Sequence, residues 1–276
     1  MKPLQDWPLE HRRQIIGVFT DIDDTLTTDG AITPDALQAL HDLKAAGFTV
    51  IAITGRPVGW SEPFTAAWPV DAIVAENGSV ALYKADFLSK NDLCPAKNMR
   101  GLLSKSYQTD DATRATNYAK MQQVLEQIER EIPSAMRSTD SPGRETDIAI
   151  DHSEFTHLPP EKIAQVVQIM QSEGLSATVS SIHINGWIGH HNKLQGANWI
   201  VRELLGRDLA QEMHRWAYVG DSTNDQLMFE AFENSIGVAN ITRFVPELQF
   251  LPCYVTQAER GAGFAEVVAS LTPFER

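Results

Sequence analysis

The sequence is poor in cysteine and in long apolar runs. Its two cysteines, Cys94 and Cys253, lie far apart without metal-ligand spacing, so we expect two reduced thiols. It has no apolar run of about 18 residues, the length that a membrane helix needs. The N-terminal stretch "MKPLQDWPLEHRRQ" lacks the apolar core of a signal peptide. These absences predict a cytoplasmic protein with no membrane partner.

Positive charge is also scarce, with 23 Lys and Arg against 36 Asp and Glu and a net charge of −13. Nucleic-acid binding draws on clustered Lys and Arg, so no nucleic-acid partner is expected. A small anionic substrate would need a locally positive site that overrides the overall field. There is no Walker-type loop and no "GxSxG" elbow, and "GAGFAE" lacks the last glycine of the dinucleotide pattern.

What the sequence does contain is an alternation of apolar and amphipathic segments. The runs at 15–20 ("IIGVFT"), 48–54 ("FTVIAIT") and 71–78 ("DAIVAENG") predict buried strands, and helical patterns separate them. The alternation resumes with a helix at 192–206 and a strand at 215–220. Strands that alternate with helices predict an α/β fold, a Rossmann-like doubly wound parallel sheet.

The middle of the chain has a different texture. It carries polar loops, one long helical stretch, and two strand candidates, "TDIAIDH" and "ATVSSIHI", on either side of the helix "PPEKIAQVVQIM". We therefore predict an inserted α+β cap domain at 86–185, with the core domain formed by 1–85 and 186–276.

Two groups of polar residues in or beside this insert carry no clear chemistry. The first group leads into a predicted strand and could hydrogen-bond sugar hydroxyls, but a solvated face is favoured: Arg144, Glu145 and Asp147. The second group is His183, His190 and His191. Its spacing fits no structural zinc pattern, so hinge or substrate-pocket residues are favoured over a metal site.

The stretch "VFTDIDDTLTTDG" places three carboxylates, Asp21, Asp23 and Asp24, directly after the first predicted strand. A solvated turn, a calcium loop and a metal-assisted phosphoryl-transfer site are the alternatives. A calcium loop counted from Asp21 requires glycine and glutamate where this chain has Leu26 and Ile32, which excludes it. The choice between the other two depends on the rest of the chain.

Other polar residues follow the carboxyl ends of the predicted strands, where ligands bind in open parallel sheets. The segment "ITGRP" supplies Thr54, Gly55 and Arg56, and the segment "GDSTND" supplies Asp221, Asn224 and Asp225. Lys193 begins the helix that precedes the second of these segments. We expect these segments to converge on Asp21 and Asp23.

Such a set supports phosphoryl transfer. Asp21 would attack phosphorus, while Asp23 would protonate the leaving oxygen and later deprotonate the attacking water. Mg²⁺ would neutralise the charge, with side-chain ligands from Asp21 and Asp221 and the backbone carbonyl of Asp23. Asp225 would bind the metal or orient Lys193.

The remaining candidates would bind the substrate. Thr54 and the neighbouring backbone N–H groups would hold the phosphoryl oxygens, and Lys193 would add positive charge against them. Gly55, Arg56 and Asn224 are further candidate substrate-binding residues.

The order "DIDDTL", "TGR", a lysine and "GDSTND" resembles the haloacid dehalogenase superfamily of phosphatases. The resemblance implies that Asp21 is the nucleophile and Asp23 the acid/base. It assigns the second motif to Thr54, the third to Lys193, and the fourth, which binds Mg²⁺, to Asp221 and Asp225. The long segment between the second and third motifs resembles the larger of two cap types. "AENGS" and "LQGANWI" resemble the branch with sucrose-phosphate and mannosyl-3-phosphoglycerate phosphatases.

The sequence thus predicts a Mg²⁺-dependent phosphatase that hydrolyses a small phosphorylated metabolite, with a sugar phosphate favoured. One alternative is a phosphomutase of the same superfamily, which returns the phosphoryl group to a bound sugar. Another is a phospho-accepting signalling domain, which also has paired acids, a threonine and a lysine around Mg²⁺. Signalling domains of that kind are about half as long and lack an inserted cap, so the alternative ranks low.

Overall fold

The computed structural model describes residues 1–84 and 103–272 of the chain. The strands in this part of the chain are β1 (Lys2–Pro3), β2 (Gly17–Thr20), β3 (Thr27–Thr28), β4 (Ala31–Ile32), β5 (Thr49–Ile53), β6 (Ala72–Ala75), β7 (Val80–Lys84), β8 (Leu103–Tyr107), β9 (Met136–Arg137), β10 (Ile148–Asp151), β11 (Ser176–Val179), β12 (His183–Trp187), β13 (Trp216–Gly220), β14 (Asn234–Gly237) and β15 (Tyr254–Val255). The α-helices are α1 (Leu9–Gln14), α2 (Pro34–Ala45), α3 (Val58–Ala67), α4 (Asp111–Glu131), α5 (Pro160–Ser172), α6 (Lys193–Leu205), α7 (Leu209–Glu212), α8 (Gln226–Ala231) and α9 (Arg260–Leu271).

The main sheet has nine strands in the order β1-β15-β14-β13-β2-β5-β6-β7-β8. Its first seven strands pair in parallel, and the last two, β7 and β8, run antiparallel to their neighbours. Strand β2 lies between β13 and β5, so chain order reverses at β2. That reversal opens a crevice at the carboxyl ends of these three strands.

Helices cover both faces of this sheet because its strands are apolar on both sides. Val18 packs with α2 and α9, whereas the next residue, Phe19, packs with α6 and α8. Alternate side chains of a strand point to opposite faces, so a strand without polar residues must be covered on both faces. This arrangement confirms the predicted α/β fold class.

A second sheet is antiparallel, with the order β11-β12-β10-β9, and packs against α4 and α5. The sequence segment "ATVSSIHI" was predicted as one strand, but it forms parts of two. Ser180 turns the chain between β11 and β12, because its hydroxyl accepts the backbone N–H of His183 at 3.0 Å. The two serines in the middle of this segment, Ser180 and Ser181, therefore lie in the turn of the β11–β12 hairpin.

The sheets do not divide the chain at the predicted domain boundaries. Strand β8 lies inside the predicted cap at 86–185 but pairs with β7 in the main sheet. Strand β12 extends past residue 185. The division into core and cap domains stays a prediction, and we propose that the cap runs from about 108 to 188, after β8 and through β12.

Two further features concern the expected cellular context. In residues 1–84 and 103–272, no helix combines the length and the apolar character that crossing a membrane requires. Cys253 is an exposed free thiol. Cys94 lies outside the described residues.

Candidate active site

Asp21 and Asp225 meet at one ammonium group. Lys193 Nζ donates to Asp21 Oδ1 at 2.8 Å and to Asp225 Oδ1 at 2.6 Å, and all three side chains are buried. Burial raises the pKa of Asp21 to about 7, although the charge of Lys193 opposes this. Burial lowers the pKa of Lys193, but the two carboxylates outweigh it and hold that pKa above its ordinary value. Lys193 thus stays charged between two acids.

Asp221 completes the cluster from the end of β13. Its Oδ2 accepts a hydrogen bond from Asn240 Nδ2 at 3.1 Å, while its buried Oδ1 has no hydrogen-bond partner among the described residues. Burial, with Asp21 and Asp225 close by, raises the pKa of Asp221 well above its ordinary value. A fully buried, unpartnered carboxylate oxygen is costly unless a cation or a donor meets it.

The cluster fits a divalent metal ion. Carboxylate oxygens of Asp21, Asp221 and Asp225 all lie within 4.8 Å of one another. Three carboxylates face one ammonium group, so the cluster has an excess of two negative charges when all four groups are ionised. Oxygen ligands and this charge suit Mg²⁺.

Asp225 differs from the other two acids in its hydrogen bonds. Its Oδ1 accepts from Lys193 and from the Tyr218 hydroxyl, and its Oδ2 accepts from the backbone N–H groups of Asp221 and Ser222 at 2.9 and 3.2 Å. Each carboxylate oxygen offers about two lone-pair sites, so these four donors occupy Asp225 fully. Asp221 keeps a free oxygen and Asp225 does not.

Two glycines bring Lys193 to the cluster. Gly78 has a φ of +109° and lies against Gly196 on helix α6, which begins at Lys193. A Cβ built on Gly196 would lie 2.6 Å from Gly78 Cα, so side chains at this contact would push the helix away. The N-cap Asn192 accepts the N–H of Gln195 at 2.9 Å. A helix start is unfavourable for a cation, and the two carboxylates offset that cost here.

The loop after β5 lies under the second sheet. Thr54 is buried, and its hydroxyl oxygen accepts the Arg56 N–H at 3.0 Å. The Gly55 carbonyl accepts from Arg144 Nη1 at 3.0 Å and from Asn185 Nδ2 at 3.4 Å. Two side chains of the predicted cap therefore hold the backbone of the predicted phosphate-binding loop in place.

Arg56 links Asp23 to the predicted cap. Its Nε donates to both oxygens of Asp23 at 3.0 Å, and its terminal nitrogens lie 2.6 Å from Glu154 Oε1 and 3.3 Å from Asp140 Oδ2. Glu154 also contacts His183 Nε2 at 2.9 Å. Asp23 and Glu154 raise the pKa of Arg56 despite its burial. Asp23, the predicted acid/base residue, is thus held by ion pairs that join the predicted core to the predicted cap.

A family model of the haloacid dehalogenase-like hydrolases matches residues 18–249. The chain belongs to that family. The match spans every predicted site residue. This confirms the resemblance that the motifs indicated.

Individual relatives and solved structures align with almost the whole chain. A phosphoglycolate phosphatase of Methanothermobacter thermautotrophicus is 24% identical over 258 residues, which span 91% of this chain and 96% of that protein. The sucrose-phosphatase of Synechocystis sp. PCC6803, solved with sucrose and phosphate, matches with a TM-score of 0.62 and 17% identity over 94% of this chain and 98% of that one. The structure of Thermoplasma acidophilum 0175 matches with a TM-score of 0.67 and 17% identity, and the match covers 93% of this chain and 98% of that one. The predicted enzyme class, a phosphoric monoester hydrolase, is confirmed by the family and its phosphatase-named relatives.

Not every predicted site residue joins the cluster of this hydrolase. Asp21, Lys193, Asp221 and Asp225 meet directly. The side chain of Asn224 accepts from the Ser222 hydroxyl at 3.0 Å and makes no hydrogen bond to those four within the described parts of the chain.

Sequence reasoning also missed several contributors. Tyr218, Asn240, Glu154 and Asp140 contact predicted site residues but belong to no motif. The interpretation of Arg144 and Asp147 as solvated is wrong, because both are buried. They pair with each other at 2.8 Å. The only signal in the sequence for the burial of Arg144 and Asp147 was the apolar strand that follows them.

Proposed function

We propose that this hydrolase is a Mg²⁺-dependent phosphatase of a small phosphorylated metabolite and acts through an aspartyl-phosphate on Asp21. The observation that carries the proposal is the contact of Lys193 with Asp21, 172 positions away, inside a buried cluster with Asp221. The names of the relatives support a small phosphorylated substrate, and the sucrose-phosphatase neighbour supports a sugar phosphate. The cytoplasmic location stays a prediction.

The proposed reaction has two steps. Asp21 attacks phosphorus, the ester P–O bond breaks, and Asp23 gives its proton to the leaving oxygen. Water, deprotonated by Asp23, then attacks phosphorus, and the bond to Asp21 breaks to release inorganic phosphate. A Mg²⁺ ion bound by Asp21, Asp221 and the Asp23 carbonyl would neutralise charge between the carboxylates and the phosphate.

Neighbouring groups hold these reactants in place. Lys193 adds positive charge beside the nucleophile, and Thr54 with the N–H groups of its loop binds the phosphoryl oxygens. Because four donors already occupy Asp225, we assign it to the orientation of Lys193 instead of direct metal ligation. Gly55, Arg56 and Asn224 remain proposed substrate-binding residues.

A screen of phosphorylated metabolites for released phosphate tests the function. Release of inorganic phosphate from p-nitrophenyl phosphate and from at least one metabolite is expected. Isomerised product without phosphate release would instead identify a phosphomutase, and no transfer at all would contradict both enzymes.

Removal of the metal ion should stop turnover. Chelation with EDTA is expected to lower phosphate release by about 100-fold or more, and added Mg²⁺ should restore it, because the excess negative charge of the cluster repels a phosphate monoanion or dianion. Phosphate release is measured with and without Mg²⁺ at constant ionic strength. Full turnover in the chelator would contradict the metal assignment.

Replacement of the acid/base residue should depend on the leaving group. Asp23→Asn cannot give a proton to the leaving oxygen, so turnover should fall by roughly 10²–10⁴-fold for an alkyl phosphate. The loss should be much smaller for p-nitrophenyl phosphate, whose leaving group needs little protonation. Steady-state kcat for the two esters is compared. Equal losses for both esters would indicate that Asp23 only positions Arg56.

A further inference from the structure

The cleft contains two arginines that the proposed mechanism leaves unused. A cavity of about 810 Å³ is lined by Asp23, two positions after Asp21, and by Arg56, Arg243 and Arg260. Its volume suits a small metabolite. In a chain with a net charge of −13, positive groups in such a place need an explanation.

Arg243 and Arg260 converge on the single carboxylate of Asp24. Arg260 Nε lies 3.0 Å from Asp24 Oδ1, and Arg243 Nη2 lies 3.5 Å from Asp24 Oδ2. Two guanidinium groups against one carboxylate leave one positive charge in excess. The nearest other acid, Asp29, is 3.9 Å from Arg260 and its side chain is 91% exposed, so water screens it.

Both arginines keep donors available to a ligand. Their side chains are 50% and 28% exposed, for Arg243 and Arg260 respectively. Within residues 1–84 and 103–272, no acceptor contacts Arg243 Nη1 or Arg260 Nη2. A guanidinium presents its N–H groups as a planar fork that matches the two oxygens of a carboxylate.

Asn240 fixes this arginine pair relative to the carboxylate cluster. The buried side-chain amide of Asn240 donates to Asp221 Oδ2 at 3.1 Å and to the backbone carbonyl of Asp24 at 3.0 Å. Its Oδ1 accepts a hydrogen bond from the backbone N–H of Arg260 at 2.9 Å. Asp24 and Arg260 both have a φ of 54°, a left-handed conformation that non-glycine residues rarely adopt. Such strain persists where surrounding structure holds a residue in place, often at ligand sites.

The positive charge of Arg56, the other arginine of the cavity, is already neutralised by carboxylates. Arg56 is met by three carboxylates, those of Asp23, Asp140 and Glu154. That part of the cleft is therefore negative, and an anionic group on the substrate would be repelled there. Among the charged residues that line this cavity, Arg243 and Arg260 are therefore the pair placed to bind a second anion.

We propose that the substrate is a phosphomonoester that carries a carboxylate in the same molecule, such as a phosphorylated hydroxy acid or sugar acid. Arg243 and Arg260 bind the carboxylate while the phosphate lies at Asp21, so this inference rests on the proposed phosphatase function. One excess positive charge matches a carboxylate better than a second phosphate, which carries close to two negative charges.

Matched pairs of esters test the inference on the unmodified enzyme with Mg²⁺. In each pair the carbon skeleton and phosphate position agree, and a carboxylate replaces a hydroxymethyl group: 3-phosphoglycerate against glycerol 3-phosphate, and 6-phosphogluconate against glucitol 6-phosphate. We expect kcat/KM to favour the carboxylate by about 10-fold or more in at least one pair, as charge-assisted hydrogen bonds to arginine would give.

Variants locate the preference. Arg243→Gln and Arg260→Gln should each reduce the kcat/KM ratio within the favoured pair by about 10-fold, toward one. Arg202→Gln, an exposed arginine of α6 outside the cavity, is the matched control and should leave the ratio unchanged. A ratio that persists in both cleft variants would overturn the assignment to these arginines.

Hydrolysis of p-nitrophenyl phosphate separates the two proposals. If the enzyme hydrolyses it but prefers the neutral ester, or shows no preference, in both pairs, the carboxylate inference is wrong and the phosphatase function stands. If the enzyme releases no phosphate from any ester, the proposed function fails and the inference fails with it.

Discussion

Asp21→Asn should abolish phosphatase turnover while leaving the fold intact. The amide has the size of the carboxylate but cannot attack phosphorus, so kcat for p-nitrophenyl phosphate should fall by roughly 10⁴-fold or more, as for other removed nucleophiles. Stability should not fall, because the substitution removes one negative charge from a buried cluster that has two in excess. Phosphate release and thermal unfolding, both followed with and without Mg²⁺, measure the two effects.

Asp42→Asn is the matched control. Asp42 lies on α2, is exposed, and contacts only Gln38 among the described side chains. Its replacement should leave turnover within about twofold and the melting temperature almost unchanged. Turnover of Asp21→Asn comparable to the wild type would remove Asp21 from the nucleophile role.

Lys193→Met should damage both stability and turnover. Asp21 and Asp225 would lose their shared cation inside the protein, and an unpaired buried charge typically costs about 3–5 kcal/mol of unfolding free energy. Turnover should fall by about 10²–10³-fold, the usual effect of losing one electrostatic group beside the reacting phosphate. Urea unfolding and steady-state kinetics are the measurements.

Lys162→Met serves as the comparison. Lys162 is on α5, where its ammonium group donates to Gln165 on the surface. Its loss should change stability by no more than about 0.5 kcal/mol. If Lys193→Met does not fold, Lys193→Gln, which keeps hydrogen-bond donors but removes the charge, is assayed in its place. Wild-type turnover of either Lys193 variant, folded at the assay temperature, would contradict the assigned role.

The meeting of Asp21 and Asp221 could be predicted from the sequence because both residues follow an apolar strand. Parallel strands bring their carboxyl ends to one edge, so Asp21 after β2 and Asp221 after β13 were expected at the same edge, and the structure shows that these two strands are adjacent. Lys193 followed from its motif. The structure then supplied the distances, which no pattern contains.

The contacts across the cleft could not be predicted. Arg56 pairs with Glu154, 98 positions away, and Arg144 with the Gly55 carbonyl, 89 positions away. No periodicity encodes such pairs, since they depend on how the predicted cap packs on the core. The contact of Tyr218 with Asp225 was missed for another reason. Tyr218 lies in a strand that is buried on both faces, so the sequence predicts only a core position for it.

The predicted start of the inserted cap does not coincide with the end of the main sheet. The predicted insert began at residue 86, whereas β8 returns to the main sheet as far as Tyr107. An antiparallel strand at the sheet edge breaks the alternation of strands and helices on which the prediction depended.

The most direct test of the account is to find where the phosphoryl group goes during a single turnover. Enzyme in excess is mixed with phosphorylated substrate and Mg²⁺, quenched in acid within milliseconds, digested, and analysed by mass spectrometry. The account predicts one phosphoryl group on the peptide that contains Asp21, formed and lost as phosphate is released, and absent from Asp21→Asn. Phosphate release with no phosphorylated peptide, or with the phosphoryl group on another residue, would contradict it.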